Sequence, residues 1–173
     1  ERHGADIQAK LDKACVGIAG LGGLGSNLAI FLARLGVGHL ILVDFDVVDI
    51  TNLNRQLIAV TSTVGHDKTE AAARRLRDIN PELDLTLREG RLTPENLPEV
   101  LDWQPDYILD CIDNVTAKLA LTVLCRERGI RLITCLGTGD ICTTFARKAN
   151  YAHPGHPEFE DFGECTAAAS NGA

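Results

Sequence analysis

Three charged residues stand in short polar strings where they could act on phosphate groups. Arg55 ends the string TNLNR, Lys68 follows TVGHD, and Asp113 lies in DCIDN. Cations such as Arg55 and Lys68 would offset the negative charge that grows on pyrophosphate when it leaves a nucleoside triphosphate. The carboxylate of Asp113 could hold a hard cation through oxygen. These residue types therefore predict substitution at phosphorus in a bound triphosphate.

A glycine-rich string, GLGGLGS, follows the apolar run at residues 16–19 and precedes leucines at helical spacing. Gly20, Gly22 and Gly25 give the GxGxxG spacing, and Gly23 lies inside it. In a strand-turn-helix setting these glycines allow a tight turn, close approach of a phosphate and close packing of helix on strand. The helix start adds free N–H groups and a positive dipole. We predict a phosphate-binding loop; the simpler interpretation is that the glycines only form a turn.

Asp44 closes the second apolar run about 20 residues after the glycine string, where a carboxylate accepts ribose hydroxyls in dinucleotide-binding domains. Together, the loop and Asp44 indicate a nucleotide without identifying it. A dehydrogenase that binds NAD explains these two features equally well.

Each charged residue also has a simpler explanation. Asp113 or Asn114 could be only the N-cap of the next helix. Arg55 could be a surface ion-pair partner and Lys68 a solvated first-turn residue, although a lysine there opposes the helix dipole. Asp46 and Asp49 are two more acidic residues near Asp44 in the sequence. We expect them to solvate a turn, and we leave both out of the predicted site.

The elements that position these residues follow from the apolar pattern. We predict strands at residues 16–19, 40–43, 83–87, 107–112 and 131–136. Helices are expected after the glycine string, from Asp67 with Glu70 as a capping box, from Thr93 with Pro94 in the first turn, and around 115–123. The sequence thus predicts an α/β, Rossmann-like fold, with a mostly parallel sheet covered by helices on both faces.

Composition limits the classes of protein to consider. The 173 residues, 45% of them hydrophobic, suit one domain with a proper core. A formal charge of −7 argues against a main role in sequence-independent nucleic-acid binding. The sequence has no long apolar run and no signal-peptide pattern, so we expect no membrane contact and a cytoplasmic location. The six cysteines form no CxxC pair, so we expect reduced thiols and no zinc.

The strings GLGGLGS, DFD, TNLNRQ, TVG with its lysine, and DCIDN, in this order, resemble the ubiquitin-activating-like family of ThiF, MoeB and HesA. The resemblance covers residues 1–139 and implies a homodimeric, adenylating domain that uses ATP and magnesium. It implies that the loop around Gly23 binds ATP, Asp44 the ribose, Arg55 and Lys68 the phosphates, and Asp113 the magnesium ion. It also implies that Thr51, Asn52, Leu53 and Asn54 line the nucleotide and that Asn114 lies beside the metal. Residues 140–173 are predicted to be an atypical, loop-rich C-terminal tail.

The acceptor of the adenylate stays open between two candidates. The main prediction is an adenylyltransferase that activates the C-terminal carboxylate of a small ubiquitin-like sulfur-carrier protein. Residues 56–139 are instead similar to the tRNA threonylcarbamoyladenosine dehydratases of the same superfamily, which activate a carboxylate on a tRNA base. Arg74, Arg75 and Arg77 would then offer tRNA a basic helix face, although such a run is more commonly a solvated face.

Two alternatives from other classes also stay open: a non-catalytic nucleotide-binding module and an NAD-dependent oxidoreductase. The second would need a hydride-transfer site, and the sequence names no acid-base pair for one. No catalytic cysteine is assigned.

Overall fold

Ten regular elements build the part of the chain that the computed structural model describes, residues 4–100, 102 and 104–134. The strands are β1 (Cys15–Ala19), β2 (His39–Asp44), β3 (Asp84–Glu89), β4 (Tyr107–Asp110) and β5 (Arg131–Thr134). The helices are α1 (Ala5–Leu11), α2 (Gly23–Leu35), α3 (Lys68–Ile79), α4 (Leu97–Val100) and α5 (Val115–Arg128). Two short 3-10 turns, at Ile50–Asn52 and Thr61–Thr63, lie between β2 and α3.

The five strands form one sheet in the order β3-β2-β1-β4-β5. β1 pairs in parallel with both β2 and β4, and β2 pairs in parallel with β3. The register places Ala19 opposite Val43 on one side and opposite Asp110 on the other. The strand ends that carry the glycine string, Asp44 and Asp110 therefore meet at one edge, which we call the carboxyl edge.

Apolar side chains cover both faces of the sheet, as the sequence pattern predicts. Successive strand residues point to opposite faces, and Leu109 packs in one buried cluster while Ile108 packs in another. The first cluster includes Ile30 of α2 and Leu76 of α3, whereas the second includes Leu121 of α5. The predicted α/β fold with helices on both faces is confirmed.

The observed strand bounds differ from the prediction: β1 begins one residue earlier, at Cys15, and β2 is one residue longer at each end, while β3 and β4 differ for identifiable reasons. β3 spans Asp84–Glu89 rather than residues 83–87, because Leu83 bonds back to the Asn80 carbonyl in a turn. β4 ends at Asp110 rather than at residue 112, because the Asp110 carboxylate accepts the Ile112 N–H at 3.0 Å and turns the chain. The start of β3 thus depends on a backbone turn, and the end of β4 on a side chain that binds the backbone next to it.

The predicted helix start at Asp67 is confirmed, although the predicted capping box is not formed, and the predicted start at Thr93 is wrong. Asp67 occupies the N-cap of α3, but its side chain makes no capping bond; its backbone forms a bridge with Val47 instead. Thr93 begins a turn rather than a helix: its carbonyl accepts the N–H groups of Asn96 and Leu97, its own N–H donates to the Asn96 side chain at 2.8 Å, and α4 begins only at Leu97.

Residues up to Ile133 belong to one compact unit. The predicted tail, residues 140–173, and the end of the predicted fifth strand lie outside the described residues, so the domain boundary at residue 139 stays a prediction. No helix in the described ranges is long and apolar enough to cross a membrane.

Candidate functional site

The glycine loop joins β1 to α2 at the carboxyl edge, and its glycines have different structural duties. Gly20 has a φ of +92°, and a Cβ added to it would lie 2.8 Å from the Cys111 carbonyl oxygen. A Cβ on Gly25 would overlap the Gly20 carbonyl oxygen. A Cβ on Gly22, in contrast, would meet no atom of the described residues within 4 Å. Packing therefore requires Gly20 and Gly25, while the described part of the chain leaves space beside Gly22 that a ligand can enter.

The start of α2 has no side-chain cap. Gly22 occupies the N-cap in an extended conformation, and among residues 4–100, 102 and 104–134 no side chain bonds to the first N–H groups of the helix. Helix starts of this kind carry free donors and the positive end of the helix dipole. The loop therefore has the chemistry of an anion site.

Asp44 holds the loop in place from the end of β2. Its Oδ2 accepts the N–H of Leu21 at 2.6 Å, and its Oδ1 accepts the N–H of Asp46 at 2.8 Å. The residue is 8% exposed. Each carboxylate oxygen has a second lone pair, so these bonds leave capacity for ribose hydroxyls. Sequence reasoning did not foresee that Asp44 also organises the glycine loop.

The segment that carries Arg55 follows β2 and contacts the loop. A Cβ added to Gly23 would lie 3.5 Å from the Arg55 carbonyl oxygen and 3.6 Å from its Cγ. The Arg55 guanidinium donates through Nη1 to the Thr51 carbonyl at 2.9 Å and to Asn54 Oδ1 at 3.0 Å. Arg55 has no ion-pair partner among the described residues, so the surface ion pair considered for it is not formed there.

Asp49 and Asn52 fold the 3-10 turn inside this segment. Asp49 accepts the Thr51 N–H and hydroxyl at 2.8 and 2.7 Å, and Asn52 Oδ1 accepts the Asp49 N–H at 3.0 Å. These bonds from Thr51 lower the pKa of the Asp49 carboxyl. Asn52 is buried, whereas Thr51, Leu53, Asn54 and Arg55 are exposed along the segment. Four of the five residues predicted to line the nucleotide are thus accessible.

Lys68 is buried at the start of α3, contrary to the solvated position considered for it. Its Nζ lies 2.8 Å from Asp46 Oδ2, and its side chain is 6% exposed against 46% for Asp46. The Lys68 N–H also donates to the Asp46 carbonyl at 3.0 Å. Asp46, which the sequence analysis left out of the site, therefore anchors Lys68 at two points.

A buried ion pair supports the turn that carries Asp113. Lys118 Nζ of α5 lies 2.9 Å from Asp110 Oδ2 at the end of β4, and both side chains are almost fully buried. Asp110 Oδ1 meanwhile accepts the Ile112 N–H. The pair was missed, although Lys118 shares a helix face with buried Leu121 and Cys125, which marks it as a buried cation.

Asn114 and Asp113 take different positions in this turn. Asn114 is the N-cap of α5, with its side chain accepting the Ala117 N–H at 2.9 Å, so the simpler interpretation holds for it. Asp113 is exposed and has no hydrogen-bond or ion-pair partner in the described part of the chain. Its carboxylate is accessible to a cation.

The described cysteines, Cys15, Cys111 and Cys125, are free thiols. Burial, followed by the nearby carboxylates of Asp106 and Asp84, raises the pKa of Cys15. Burial raises the pKa of Cys125 to about 11. An activated thiol needs the opposite shift, so neither of these two cysteines is suited to nucleophilic catalysis. Cys142 and Cys165 lie outside the described residues.

The geometry brings the predicted residues to one edge of the sheet. Arg55 packs on Gly23, Lys68 connects through Asp46 to Asp44, and Cys111 of the DCIDN string lies against Gly20. Among the described residues no group of three or more His, Cys, Asp or Glu side chains is arranged to hold a metal ion. At this edge the loop contacts Arg55, Lys68 is linked to the loop through Asp46 and Asp44, and the exposed carboxylate of Asp113 lies in the turn after β4.

Comparison with known proteins places this arrangement in a family. The chain is 40% identical over 134 residues to the tRNA threonylcarbamoyladenosine dehydratase of Haemophilus influenzae, and the match covers 78% of this chain and 51% of that protein. It is 38% identical over 134 residues to the sulfur carrier protein ThiS adenylyltransferase of Escherichia coli, with 78% and 53% covered. The chain thus spans about half the length of these curated relatives.

The fold of a solved relative agrees with that of this chain. The structure of the Escherichia coli tRNA N6-threonylcarbamoyladenosine dehydratase TcdA in complex with ATP superimposes with a TM-score of 0.76 at 38% identity. The superposition covers 77% of this chain and 55% of that chain. The sequence profile of the ThiF family matches residues 1–169. The chain therefore belongs to the ThiF family.

Proposed function

We propose that this chain binds ATP at the carboxyl edge and transfers AMP to a carboxylate. The observation that carries the proposal is the uncapped, open helix start at Gly22 and Gly23 with Arg55 packed directly against it. Buried Lys68 adds a second cation near the same edge. The solved structure of TcdA with ATP, in the same fold, supports ATP as the nucleotide.

The proposed reaction is a substitution at the α-phosphorus of ATP. A carboxylate oxygen forms a bond to this phosphorus while the bond to the bridging oxygen of the β-phosphate breaks, which yields an acyl adenylate and pyrophosphate. The N–H groups at the start of α2 receive phosphate oxygens. Arg55 and Lys68 offset the charge that develops on the leaving pyrophosphate. No proton has to move, so positioning and charge account for the catalysis.

Asp113 is the residue that fits a magnesium ion. Magnesium is usually held by one or two protein carboxylates together with substrate phosphates and water, rather than by a cage of protein ligands. A single accessible carboxylate suits that mode of binding. Magnesium would neutralise charge on the phosphates when bound, and Asp113 would hold it at the carboxyl edge.

For the acceptor we favour a carboxylate carried on tRNA. Relatives named tRNA threonylcarbamoyladenosine dehydratase, including those of Bacillus subtilis and Escherichia coli, reach 42% identity. Arg74, Arg75 and Arg77 are exposed on α3 and have no ion-pair partner in the described ranges. They lie on the helix that begins at Lys68, about 9–14 Å along its axis. A basic surface at that distance suits the phosphates that flank a base in the site.

The C-terminal carboxylate of a small ubiquitin-like sulfur-carrier protein is the second candidate acceptor. Its support is the 38% identity to the ThiS adenylyltransferase, over the same length of this chain as the tRNA enzyme of Haemophilus influenzae. In both cases a carboxylate attacks ATP, and the two candidates differ in the molecule that carries this carboxylate.

We also propose that the protein works as a homodimer. Leu24, Phe31 and Leu35 lie on one stripe of α2 and are 43–59% exposed. Ile50 and Leu57, on the segment after β2, are 68% and 52% exposed. An apolar surface of this kind suits contact with a second copy. Phe31→Glu should convert dimer to monomer in sedimentation measurements, and an unchanged sedimentation coefficient would contradict the dimer.

Pyrophosphate release from ATP tests the function and separates the two acceptors. We expect pyrophosphate release with tRNA that carries threonylcarbamoyladenosine. This tRNA-dependent release should be lost in the triple variant Arg74→Ala, Arg75→Ala, Arg77→Ala. The control is Arg126→Ala, which removes the positive charge of an exposed arginine on α5, away from the basic surface of α3. Release only with a glycine-ended carrier protein would favour the second acceptor. No ATP binding and no release with either would contradict adenylation.

A further inference from the structure

Asp46 occupies a junction between the two parts of the candidate site. Its N–H donates to Asp44 Oδ1 at 2.8 Å, and Asp44 Oδ2 in turn holds the Leu21 N–H of the glycine loop. Its carboxylate binds Lys68 Nζ at 2.8 Å. One residue thus links the loop that faces the ligand to the cation at the start of α3.

The backbone around Asp46 fixes this junction. The Asp46 carbonyl accepts the Lys68 N–H at 3.0 Å, and Val47 forms an antiparallel bridge with Asp67. Val48 bonds to the His66 carbonyl and receives the Gly65 N–H, both at 2.8 Å. The backbone therefore holds the start of α3 without help from the Asp46 side chain, and the carboxylate is left to set the position of the Lys68 ammonium.

The burial of the two partners separates their duties. The Lys68 side chain is 6% exposed, so its ammonium cannot rely on water for hydrogen bonds, whereas Asp46 is 46% exposed. A buried ammonium group needs a charged hydrogen-bond acceptor, so the position of the acceptor determines the position of the ammonium group. Without Lys68, water can still solvate the Asp46 carboxylate. Without the carboxylate, nothing in this ion pair fixes the position of the buried Lys68 ammonium.

We propose that Asp46 is a positioning residue that aims Lys68 at the phosphates of ATP, an assignment that rests on the proposed function. Asp46 itself does not contact the reacting atoms. It is an anion beside a site for a triphosphate, so it slightly opposes ground-state binding while it places the cation for the charge that develops on pyrophosphate. Loss of its charge should therefore lower the rate constant without weakening the binding of ATP.

The kinetic test compares Asp46→Asn, Asp46→Glu and Lys68→Met in the full chain with wild type. In Asp46→Asn we expect kcat for pyrophosphate release to fall about tenfold, while KM for ATP stays the same or falls. Asp46→Glu should recover part of kcat, because it keeps the carboxylate. Asp78→Asn, an exposed carboxylate on α3, is the control and should change neither constant. A kcat for Asp46→Asn within twofold of wild type would overturn the proposal.

A double-mutant cycle shows whether Asp46 acts through Lys68. If it does, Asp46→Asn lowers kcat in the wild-type background and has no further effect in the Lys68→Met background. An equal fall in both backgrounds would assign Asp46 an independent role and overturn the proposal.

A third measurement needs no ATP and separates this inference from the proposed function. Acylation of Lys68 by an amine reagent, followed by peptide mass spectrometry, should be about tenfold faster in Asp46→Asn than in wild type, the factor that corresponds to loss of about 1.4 kcal/mol. Equal labelling of the two proteins overturns the positioning role. Faster labelling in a protein that does not act on ATP would support the ion pair and contradict adenylation instead.

Discussion

The carboxylate of Asp44 accepts the backbone N–H of Leu21 at 2.6 Å, across the parallel pair β1 and β2. This bond ties the second residue of the glycine loop to the neighbouring strand. The same carboxylate receives the Asp46 N–H, so one buried side chain sets the loop and the segment after β2 together. The nucleotide site is therefore shaped by a contact between strands, before any ligand is present.

Asp44→Asn should weaken both the fold and the site. An asparagine amide in place of one oxygen sets a donor against a backbone donor, and we expect a loss of about 1–3 kcal/mol in the free energy of unfolding. Affinity for ATP should fall with it, because the loop is no longer held. Urea unfolding and calorimetric titration with ATP measure the two effects. An unfolding free energy equal to that of the Asp78→Asn control would contradict this role.

Two alanine substitutions in the glycine loop should differ in their effects: one should lower the unfolding free energy, and the other the affinity for ATP. Gly25→Ala places a methyl group on the Gly20 carbonyl, so we expect a destabilisation of about 2 kcal/mol or more. The methyl group of Gly22→Ala meets no atom of the described chain within 4 Å, so its unfolding free energy should stay within about 0.5 kcal/mol of wild type. Its affinity for ATP should fall about tenfold, because the methyl group occupies space that a phosphate approaches. Gly22→Ala with unchanged affinity would place the phosphates elsewhere.

Breaking the buried pair of Lys118 and Asp110 should be costly. Lys118→Met leaves a buried carboxylate without its cation, and we expect a loss of about 3–5 kcal/mol in unfolding free energy. The double variant with Asp110→Asn should lose less than Lys118→Met alone, because the uncompensated charge is gone. Lys13→Met, at an exposed position, is the control. Additive losses in the double variant would show that the two side chains do not act as a pair.

Cys125 should make stability depend on alkaline pH. Burial raises the pKa of its thiol from 9.0 to about 11, so between these values the unfolded chain releases a proton that the folded chain keeps. The contribution is fully present below pH 9 and is lost as pH rises towards 11, by about 2–3 kcal/mol in all. Unfolding free energies of wild type and Cys125→Ala, measured from pH 8 to 10.5, should converge as pH rises. A constant difference would contradict the raised pKa.

Much of the fold could be predicted because it follows from local patterns. Apolar runs marked all five strands, and the spacing of Leu24, Leu28 and Leu35 marked α2. The strand ends were less predictable, since Asp110 ends β4 through a bond from its side chain to the Ile112 N–H. Thr93 begins a turn rather than a helix, and within that turn the Asn96 side chain accepts the Thr93 N–H. Such bonds depend on rotamers that a sequence pattern does not specify.

The candidate site, like the fold, could be predicted in part. The glycine string, Asp44 and Arg55 belong to motifs, and their place at the carboxyl edge follows from parallel topology. Asp46 has the sequence context of a residue that solvates a turn, and nothing in the sequence shows that a lysine 22 residues later bonds to it. Lys118 was missed although its neighbours Leu121 and Cys125 are buried. A charged residue on the apolar face of a helix therefore indicates a buried partner of opposite charge.

A structure of the protein with magnesium and a non-hydrolysable ATP analogue tests the central claim most directly. We predict that phosphate oxygens bind N–H groups at the start of α2, and that the Arg55 guanidinium and the Lys68 ammonium lie within about 3 Å of phosphate oxygens. Phosphates bound away from Gly22 and Gly23, or Arg55 and Lys68 both without phosphate contact, would contradict the proposed adenylation site.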